Sequence, residues 1–549
     1  MRTVLVSINC SYIHQALATR WLYVSRRDNE CILLDFNIKD NISKMTNSIL
    51  DLKAEVVGLS IYIWNADIMK LLIKSLLKVK PNLRIICGGP EVSYEYQDFL
   101  NLGIEAIIKG EGEQAFWDVV EKNYNVDGAV SKYYVSNKMA IADLDYLESL
   151  ESPFFLEFDL KEQKNKYLYF ETSRGCPYGC TYCLSSLENK VRLFSLEWVF
   201  KQLKMLEQVK CKQVKMLDRT FNIDSKRALD IAMFIEKLKV DVSFEFEVMI
   251  EYLSEELLIF FENCTYHRYR FEVGVQSFND KTLKAVHRYQ NPIKLKENIK
   301  RLSKNNILHT DLIAGLPYED MKSFKKSFLE LFSLKTTEIQ VGILKLLKGT
   351  ILKERAQEFG IVTTKEVPYT TIETNYLTSE DLVKITYLYH AVEKLYNNHK
   401  LRYSLNTIYD LGYDVYDILI LLGEKIDNHE NNIQLKDYFD YAYEIFINHT
   451  NLAEIEIKAL LYVDYYRLFK VKPTNIFKIN LTKEKKSLFS FVDYDINYLN
   501  KYSIITVAFY QKQLGYQLVI YSKSHQIPTI YYFNTYDQYL DKFSKSINF

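Results

Sequence analysis

Glu171-Thr172-Ser173-Arg174-Gly175-Cys176-Pro177-Tyr178-Gly179-Cys180-Thr181-Tyr182-Cys183 crowds three of the chain's eight cysteines into eight residues. The other five, Cys10, Cys31, Cys87, Cys211 and Cys264, are scattered over 549 positions, too few and too dispersed for a disulfide scaffold. Three thiolates in one short loop are soft donors suited to zinc or to an iron–sulfur cluster. A closed structural zinc needs a fourth Cys or His at suitable spacing, and none is nearby. Three ligands on a four-iron cube leave one iron open to a chelating small molecule. Gly175 and Gly179 let the loop wrap such a cluster, and backbone N–H groups there can tune its sulfurs.

The loop follows an apolar run, Tyr167–Thr172, the first of six candidate strands. The others are Gln213–Leu217, Val242–Val248, Tyr269–Val275, Ile307–Ile313 and Glu338–Leu344. Helical patterns fall between them, at Leu196–Val209, Lys226–Leu238, Glu255–Phe261, Ile293–Lys304 and Lys322–Phe332. Six such units predict a partial (β/α)6 barrel of TIM type over residues 166–368, with chemistry at the carboxyl ends of its strands. Upstream, strands at Val4–Asn9, Cys31–Phe36, Val56–Ile61, Arg84–Cys87 and Ala106–Lys109 alternate with helices such as Gln15–Arg26, Ala66–Leu77 and Gln114–Val120. That alternation predicts a doubly wound parallel α/β sheet over residues 1–125, with a connector carrying a short hairpin over 126–165. Its strand-end loops hold Cys10–His14, Tyr62–Asn65, Gly88–Glu91 and Gly110–Glu113. No G-x-G-x-x-G follows the first strand and no G-x-x-x-x-G-K-[ST] occurs, so dinucleotide and P-loop readings lose their support.

Seventy Lys+Arg offset seventy Asp+Glu, which argues against a protein held to nucleic acid by bulk charge. The longest aliphatic run, Ile418–Leu422, falls far short of a membrane span, and Val4–Ile8 reads as a strand rather than a leader. A cytoplasmic location is expected.

The cysteine spacing C-x-x-x-C-x-x-C behind a barrel strand resembles the signature of the radical SAM superfamily. That resemblance makes Cys176, Cys180 and Cys183 ligands of a [4Fe-4S] cluster whose free iron binds S-adenosylmethionine (SAM) and cleaves it to a 5′-deoxyadenosyl radical. It further implies SAM contacts from Tyr182, Asp218, Glu272, Gln276, Ser277, Asp311 and Gly315. Asp218-Arg219-Thr220-Phe221-Asn222 stands where many relatives have a Gly-Gly-Glu stretch. Ser60-x-Tyr62, Gly88-Gly89-Pro90 and Gly110-Glu111-Gly112 resemble the cobalamin-binding (B12-binding) domain that precedes many radical SAM domains. These residues would receive the nucleotide tail and corrin. The chain lacks D-x-H-x-x-G; His14 lies in the right general loop as an axial-ligand candidate, although base-off cobalamin without a protein His fits the resemblance better.

From about Tyr369 onward the pattern turns aromatic and helical, at Leu377–Tyr396, Val415–Leu422, Lys436–Ile447 and Ala453–Leu468. A β-like end follows at Ile504–Tyr510, Gly515–Tyr521 and Thr529–Tyr532, with a hairpin loop at Gln511–Leu514. Residues 369–549 are thus expected to form an α+β accessory domain, with Lys483–Lys486 as a solvated loop. It resembles an accessory domain of unassigned role on B12-linked radical SAM proteins. The first functional reading is a cobalamin-dependent radical SAM methyl or one-carbon transferase acting on an unactivated carbon of a small molecule or peptide, reduced by a flavodoxin or ferredoxin. Two readings stay open beside it. One is a ring-forming, rearranging or methylthiotransferase-like RNA-modifying radical enzyme; the other is a non-catalytic B12 or redox sensor.

Overall fold

The computed structural model describes residues 1–27, 30–187, 190–429, 432–473, 481, 484–522, 528–535 and 538–543. The N-terminal sheet has six strands: β1 (Arg2–Asn9), β2 (Glu30–Asn37), β3 (Val56–Ser60), β4 (Arg84–Gly88), β5 (Ala106–Ile108) and β6 (Ala129–Ser131). Their order is β2-β1-β3-β4-β5-β6. The first five are parallel and β6 runs antiparallel to β5. Val4, Leu5, Val6 and Ile8 are all buried, as is Ser7 between them, the burial on both faces of a strand covered from each side. Chain order reverses between β1 and β3, which opens a crevice at their carboxyl ends. The hairpin expected in the connector supplies β6, so this sheet runs past the division expected at residue 125. A helix over Ile42–Asp51, capped by the Asn41 side chain, went unread in the sequence.

The second sheet is wholly parallel, ordered β12-β11-β10-β9-β8-β7 in sequence labels β7 (Tyr167–Phe170), β8 (Gln213–Met216), β9 (Phe244–Val248), β10 (Tyr269–Gln276), β11 (Ile307–Ala314) and β12 (Glu338–Ile343). It is the predicted six-stranded partial barrel. Burial alternates strictly along β9, β10 and β11. The outward set, including Phe244, Phe246, Tyr269, Phe271, Val273, Leu308 and Leu312, packs into the main apolar core. The inward set is polar: Lys215, Glu245, Glu247, Arg270, Glu272, His309, Asp311 and Glu338. A full TIM barrel fills this space with branched aliphatics. Here the lumen is charged and half-accessible, built to hold something other than its own side chains.

The C-terminal part is helical, then antiparallel. Helices Ser379–Ala391, Arg402–Asp410, Val415–Asp427, Leu435–His449 and Glu454–Arg467 precede strands β13 (Ser503–Tyr510), β14 (Gln513–Ile520), β15 (Thr529–Thr535) and β16 (Gln538–Phe543). Helix Arg402–Asp410 and strand β16 were not anticipated. Lys483 lies outside the described residues, and Lys485 begins a short helix to Phe489 rather than extending a loop. This part covers the free edge of the barrel. Asn397 donates to the Ile339 carbonyl at 2.9 Å and accepts from its N–H at 3.0 Å, standing in for a missing neighbour strand. No helix among the described residues is long and apolar enough to cross a membrane.

Candidate active site

The cysteine loop is pinned at both ends by groups on other strands. Asp218, just past β8, is buried and accepts from the Thr172 N–H at 3.0 Å, the Thr172 hydroxyl at 2.6 Å and the Ser173 hydroxyl at 2.5 Å. Burial raises its carboxyl above the usual range and those donors pull it back. Its oxygens are committed to shaping the loop, which explains why this Asp stands where a ligand-contacting Glu was expected. Further along, the Thr181 N–H donates to Val286 O at 3.0 Å, and the Thr181 carbonyl accepts from Leu352 N at 2.9 Å. The Ser186 hydroxyl bridges the carbonyls of Cys180 and Cys183 at 2.8 and 2.6 Å. Gly175 has φ +91°, and a Cβ there would lie 2.1 Å from Lys190 O, so only glycine fits this turn.

Cys180 is buried, while Cys176 and Cys183 are half-buried. Burial raises the Cys176 thiol, and Cys183 and Cys180 raise it further, so the three sulfurs sense one another. Among the described residues no three His, Cys, Asp or Glu side chains converge on a single-ion site. The donor set suits a larger soft centre, and a Cβ on Gly179 would meet nothing within 4 Å, which leaves room beside the loop. Arg288, which no motif signalled, reaches Cys180 Sγ at 3.9 Å and Met249 Sδ at 3.4 Å and also donates to the Gly274 carbonyl.

Behind the loop, the lumen carries a graded charge network. Lys215 pairs with Glu245, and Arg270 bridges Glu245 to Glu338 at 3.3 and 2.8 Å. His309 lies 2.9 Å from Glu338 and 3.1 Å from Asp311; burial alone would lower its pKa, yet those carboxylates raise it to about 11. Glu272, level with Glu247, His309 and Glu338 across the sheet, makes no hydrogen bond or ion pair among the described residues. Burial first, then Asp311 and Glu247, raise its carboxyl to about 7. Gln276, at φ +64°, holds a buried Oε1 without a hydrogen-bond partner. A carboxylate and an amide oxygen left open in one strand fit a ligand bringing N–H and O–H donors, as the amine and ribose of SAM do.

Other expected contacts fall elsewhere. Ser277 is fully buried, donating to Glu319 at 2.5 Å and accepting from Asn279 N at 2.9 Å, so it faces the protein interior rather than the lumen. Ser277→Ala is expected to lower stability by about 1–3 kcal/mol, because buried Glu319 loses the closer of its two hydroxyl donors and the Asn279 N–H loses its acceptor. A thermal melt measured beside an S-adenosylmethionine titration checks this; affinity should not move. Tyr182 packs against the cluster of Val286, Leu316, Leu344 and Leu352, and burial raises its phenol. Gly315 turns the chain at φ +93° after β11.

A cavity of about 670 Å³ joins the two sheets at their carboxyl ends, lined by Ser60, Tyr62, Gly88, Gly89, Pro90, Gly110, Glu111 and Gly112 on one side. Tyr169, Glu171, Arg174, Gly175 and Arg219 face them from the barrel. Tyr62 stacks on Trp64 at 4.4 Å and 7°. Gly88 and Gly112 are the open positions, where a Cβ would come no closer than 3.6 and 3.3 Å to other atoms. Gly89 and Gly110 are instead required by positive φ, with a Cβ at 2.4 Å from Ile61 O and 2.5 Å from Ala140 O. A wide apolar cleft with glycine shoulders fits a corrin and its tail. Glu111 contributes differently from the expectation: it is tied to Arg174, Arg192 and the Ala142 N–H, not left free for a ligand. His14 lines the same cavity with Nδ1 2.5 Å from the Tyr169 hydroxyl, and burial lowers its pKa.

Arg174 fastens the two domains. It meets Glu111, Glu113 and Glu171 at 3.1, 2.7 and 2.8 Å and stacks over Trp21. Burial keeps Glu113 above the ordinary carboxylate range even with Arg174 beside it. Arg174→Met is expected to cost about 3–5 kcal/mol at neutral pH by stranding buried carboxylates. Glu113, already held up by burial, then loses the cation that pulls its carboxyl down, so the loss should grow as pH rises through that group and shrink in acid, which paired melts at two pH values would record.

Comparison with known proteins matches this architecture piece by piece. The Radical SAM superfamily matches residues 170–331, the B12 binding domain matches 3–120, and a protein family of unknown function (DUF4080) matches 357–527. An uncharacterized methyltransferase of Pyrococcus horikoshii is 25% identical over 330 residues, covering 56% of this chain and 71% of that protein. The 2-(S-pantetheinyl)-carbapenam-3-carboxylate methyltransferase of Streptantibioticus cattleyicolor is 24% identical over 432 residues, covering 69% of this chain and 62% of that one. The chain therefore spans less than two thirds of the second relative's length. In fold it is similar to the cobalamin-dependent S-adenosylmethionine radical enzyme OxsB, solved with aqua-cobalamin and S-adenosylmethionine bound, at 17% identity and a TM-score of 0.60 over 84% of this chain and 78% of that one. With a B12-binding domain set over a radical SAM half-barrel and a cysteine loop at their junction, the chain belongs to the cobalamin-binding radical SAM enzymes, whose cofactors are a [4Fe-4S] cluster, S-adenosylmethionine and cobalamin.

Proposed function

We propose that this enzyme transfers a methyl or other one-carbon group to an unactivated carbon. The observation that carries the reading is the cavity shared by the two strand-end surfaces, which sets the cobalamin-type loops directly over the shoulder of the cysteine loop. The names of both relatives, methyltransferases, support it. When bound, the cluster with S-adenosylmethionine supplies a carbon radical and the cobalamin supplies a transferable methyl group.

The protein's share is to hold and to seal. Cys176, Cys180 and Cys183 bind the cluster, with Arg288 against Cys180. Glu272 and Gln276 orient the amine and hydroxyl donors of SAM, while Tyr182 and Gly315 shape the wall near its base. Asp311 acts through His309, keeping the lumen's charge balanced, and Asp218 and Ser277 hold the loops. Ser60, Tyr62, Gly88, Gly89, Pro90, Gly110 and Gly112 form the corrin side, with Glu111 fixing its last loop through Arg174. Closing the barrel mouth with the N-terminal domain keeps water from a reactive radical. The working division moves the first boundary from residue 125 to beyond β6, which pairs with β5, and keeps the connector up to 165, the barrel over 166–368 and the accessory part over 369–549. The substrate is a small molecule or peptide rather than nucleic acid, the reductant a flavodoxin- or ferredoxin-like carrier, and the setting the cytoplasm.

Anaerobic reconstitution followed by metal analysis tests the reading. About four irons and one cobalt per chain are expected, with 5′-deoxyadenosine formed from SAM on reduction. Iron and 5′-deoxyadenosine without cobalt retention would remove methyl transfer and leave a rearranging radical enzyme. Cobalt without 5′-deoxyadenosine would leave a sensor.

A further inference from the structure

The segment leaving β12 touches both cofactor loops within five residues. Lys348 Nζ lies 2.6 Å from Glu91 Oε1, with 9% and 5% of the two side chains exposed. The Tyr369 hydroxyl donates to the same oxygen at 2.5 Å. Glu91 sits on the short helix Pro90–Ser93 that follows Gly88-Gly89. That helix reaches the next loop too, because the Ser93 hydroxyl accepts from the Gly110 N–H at 3.2 Å and donates to Gly89 O at 3.0 Å. Four residues beyond Lys348, the Leu352 N–H donates to the Thr181 carbonyl, between Cys180 and Cys183.

The approach is close and specific. Gly349 has φ +82°, and a Cβ there would fall 2.2 Å from the Tyr94 ring, so the segment presses flat against the N-terminal domain. Its far side is fixed in the barrel, with Leu344 N bonded to Ala314 O and Thr371 N to Leu344 O, both at 2.9 Å. Leu352 is buried with Leu344, Leu346, Phe359 and Ile361. A buried ion pair is a poor way to gain stability, since apolar groups of similar volume do as well. Its distance and direction requirements suit it to fixing position.

We infer that Glu91 and Lys348 are positioning residues that set the cobalamin loops in register with the cysteine loop. The inference rests on the proposed cobalamin-and-cluster reading. No described contact of either residue is with the cysteines or the lumen carboxylates; the pair acts through the backbone segments it joins.

The test uses full-length protein reconstituted with cluster and hydroxocobalamin. The double variant Glu91→Leu/Lys348→Met removes both charges together, and Lys348→Arg keeps one cation in place. The double variant is expected to retain its iron and to form 5′-deoxyadenosine in the absence of substrate. Its cobalamin affinity should fall at least tenfold, and the cob(II)alamin-to-reduced-cluster distance distribution in pulsed electron paramagnetic resonance should broaden. Lys348→Arg keeps the cation and should keep the distribution narrower than in the double variant; if the double variant does not fold, Lys348→Gln serves alone, and unchanged affinity and distance in it overturn the register role. Unchanged affinity and distance in the double variant, with wild-type holding cobalamin, overturn the inference alone. A wild-type chain that binds no cobalamin overturns the inference and the functional reading together.

Discussion

Replacing any one of Cys176, Cys180 or Cys183 by Ala is expected to abolish reductive SAM cleavage, with 5′-deoxyadenosine falling at least a thousandfold, to the assay floor. The reason is geometric. Three sulfurs leave one iron of a cube open, and with two the centre either is lost or opens a second iron without the same chelating face. The loop should survive the change, because its anchors are Asp218, Val286, Leu352 and Ser186 rather than the sulfurs themselves. Circular dichroism and melting should therefore stay close to wild-type while iron content and 5′-deoxyadenosine collapse. Substitution of Cys87 or Cys264 gives the control, since neither lies in the cysteine loop. A Cys176→Ala chain that still cleaves SAM would take the cluster assignment with it.

Glu272→Gln carries the next largest effect. Its carboxylate is open, faces the lumen and is held at about 7 by burial and by Asp311 and Glu247. A cationic amine beside it would gain a charge-assisted hydrogen bond worth about 1.5–3 kcal/mol, so the amide should weaken SAM about tenfold to a hundredfold. The pH dependence follows from the same group. Below pH about 7 the cofactor-free Glu272 is protonated and must lose that proton to receive an amine, so SAM affinity should fall by up to tenfold per pH unit in that range. The stability contribution has the opposite slope. The folded carboxyl holds its proton up to about 7 while the unfolded one releases it near 4.5, so this share of stability is present below 4.5 and is lost as pH rises through that window. Calorimetric SAM titrations across about pH 5.5–8.5, with Glu272→Gln flat where wild-type slopes, would verify the sign for affinity, and thermal melts of the cofactor-free proteins over about pH 4–8 the sign for stability. A wild-type profile without slope would assign the amine to another group.

The cysteine loop and eleven of the twelve strands around it could be read from the chain because their signals are local. Val4–Ile8 announces a doubly covered strand by apolar residues at successive positions, Val4, Leu5 and Val6, with only Ser7 polar. The alternation of Phe244-Glu245-Phe246-Glu247 and Tyr269-Arg270-Phe271-Glu272 already encodes a barrel with a polar lumen, since every second residue is charged. What local pattern cannot carry is the choice between touching a ligand and holding a loop. Asp218 and Ser277 occupy motif positions yet spend their polar atoms on Thr172, Ser173, Glu319 and Asn279. Glu111 lies in the right loop, but its partners Arg174 and Arg192 come from 63 and 81 residues further on. Arg288 and Lys348 sit in segments without any motif, and only the folded chain brings them to Cys180 and Glu91. Strand β6 and helix Arg402–Asp410 are short and weakly patterned, and tertiary packing decides them.

The most direct measurement is the electron paramagnetic resonance spectrum of the reduced, reconstituted enzyme before and after adding SAM. A [4Fe-4S] signal whose g values shift on SAM addition, and which disappears in Cys176→Ala, is the predicted result. A signal indifferent to SAM, or one that survives intact without Cys176, would contradict an open iron held by these three sulfurs.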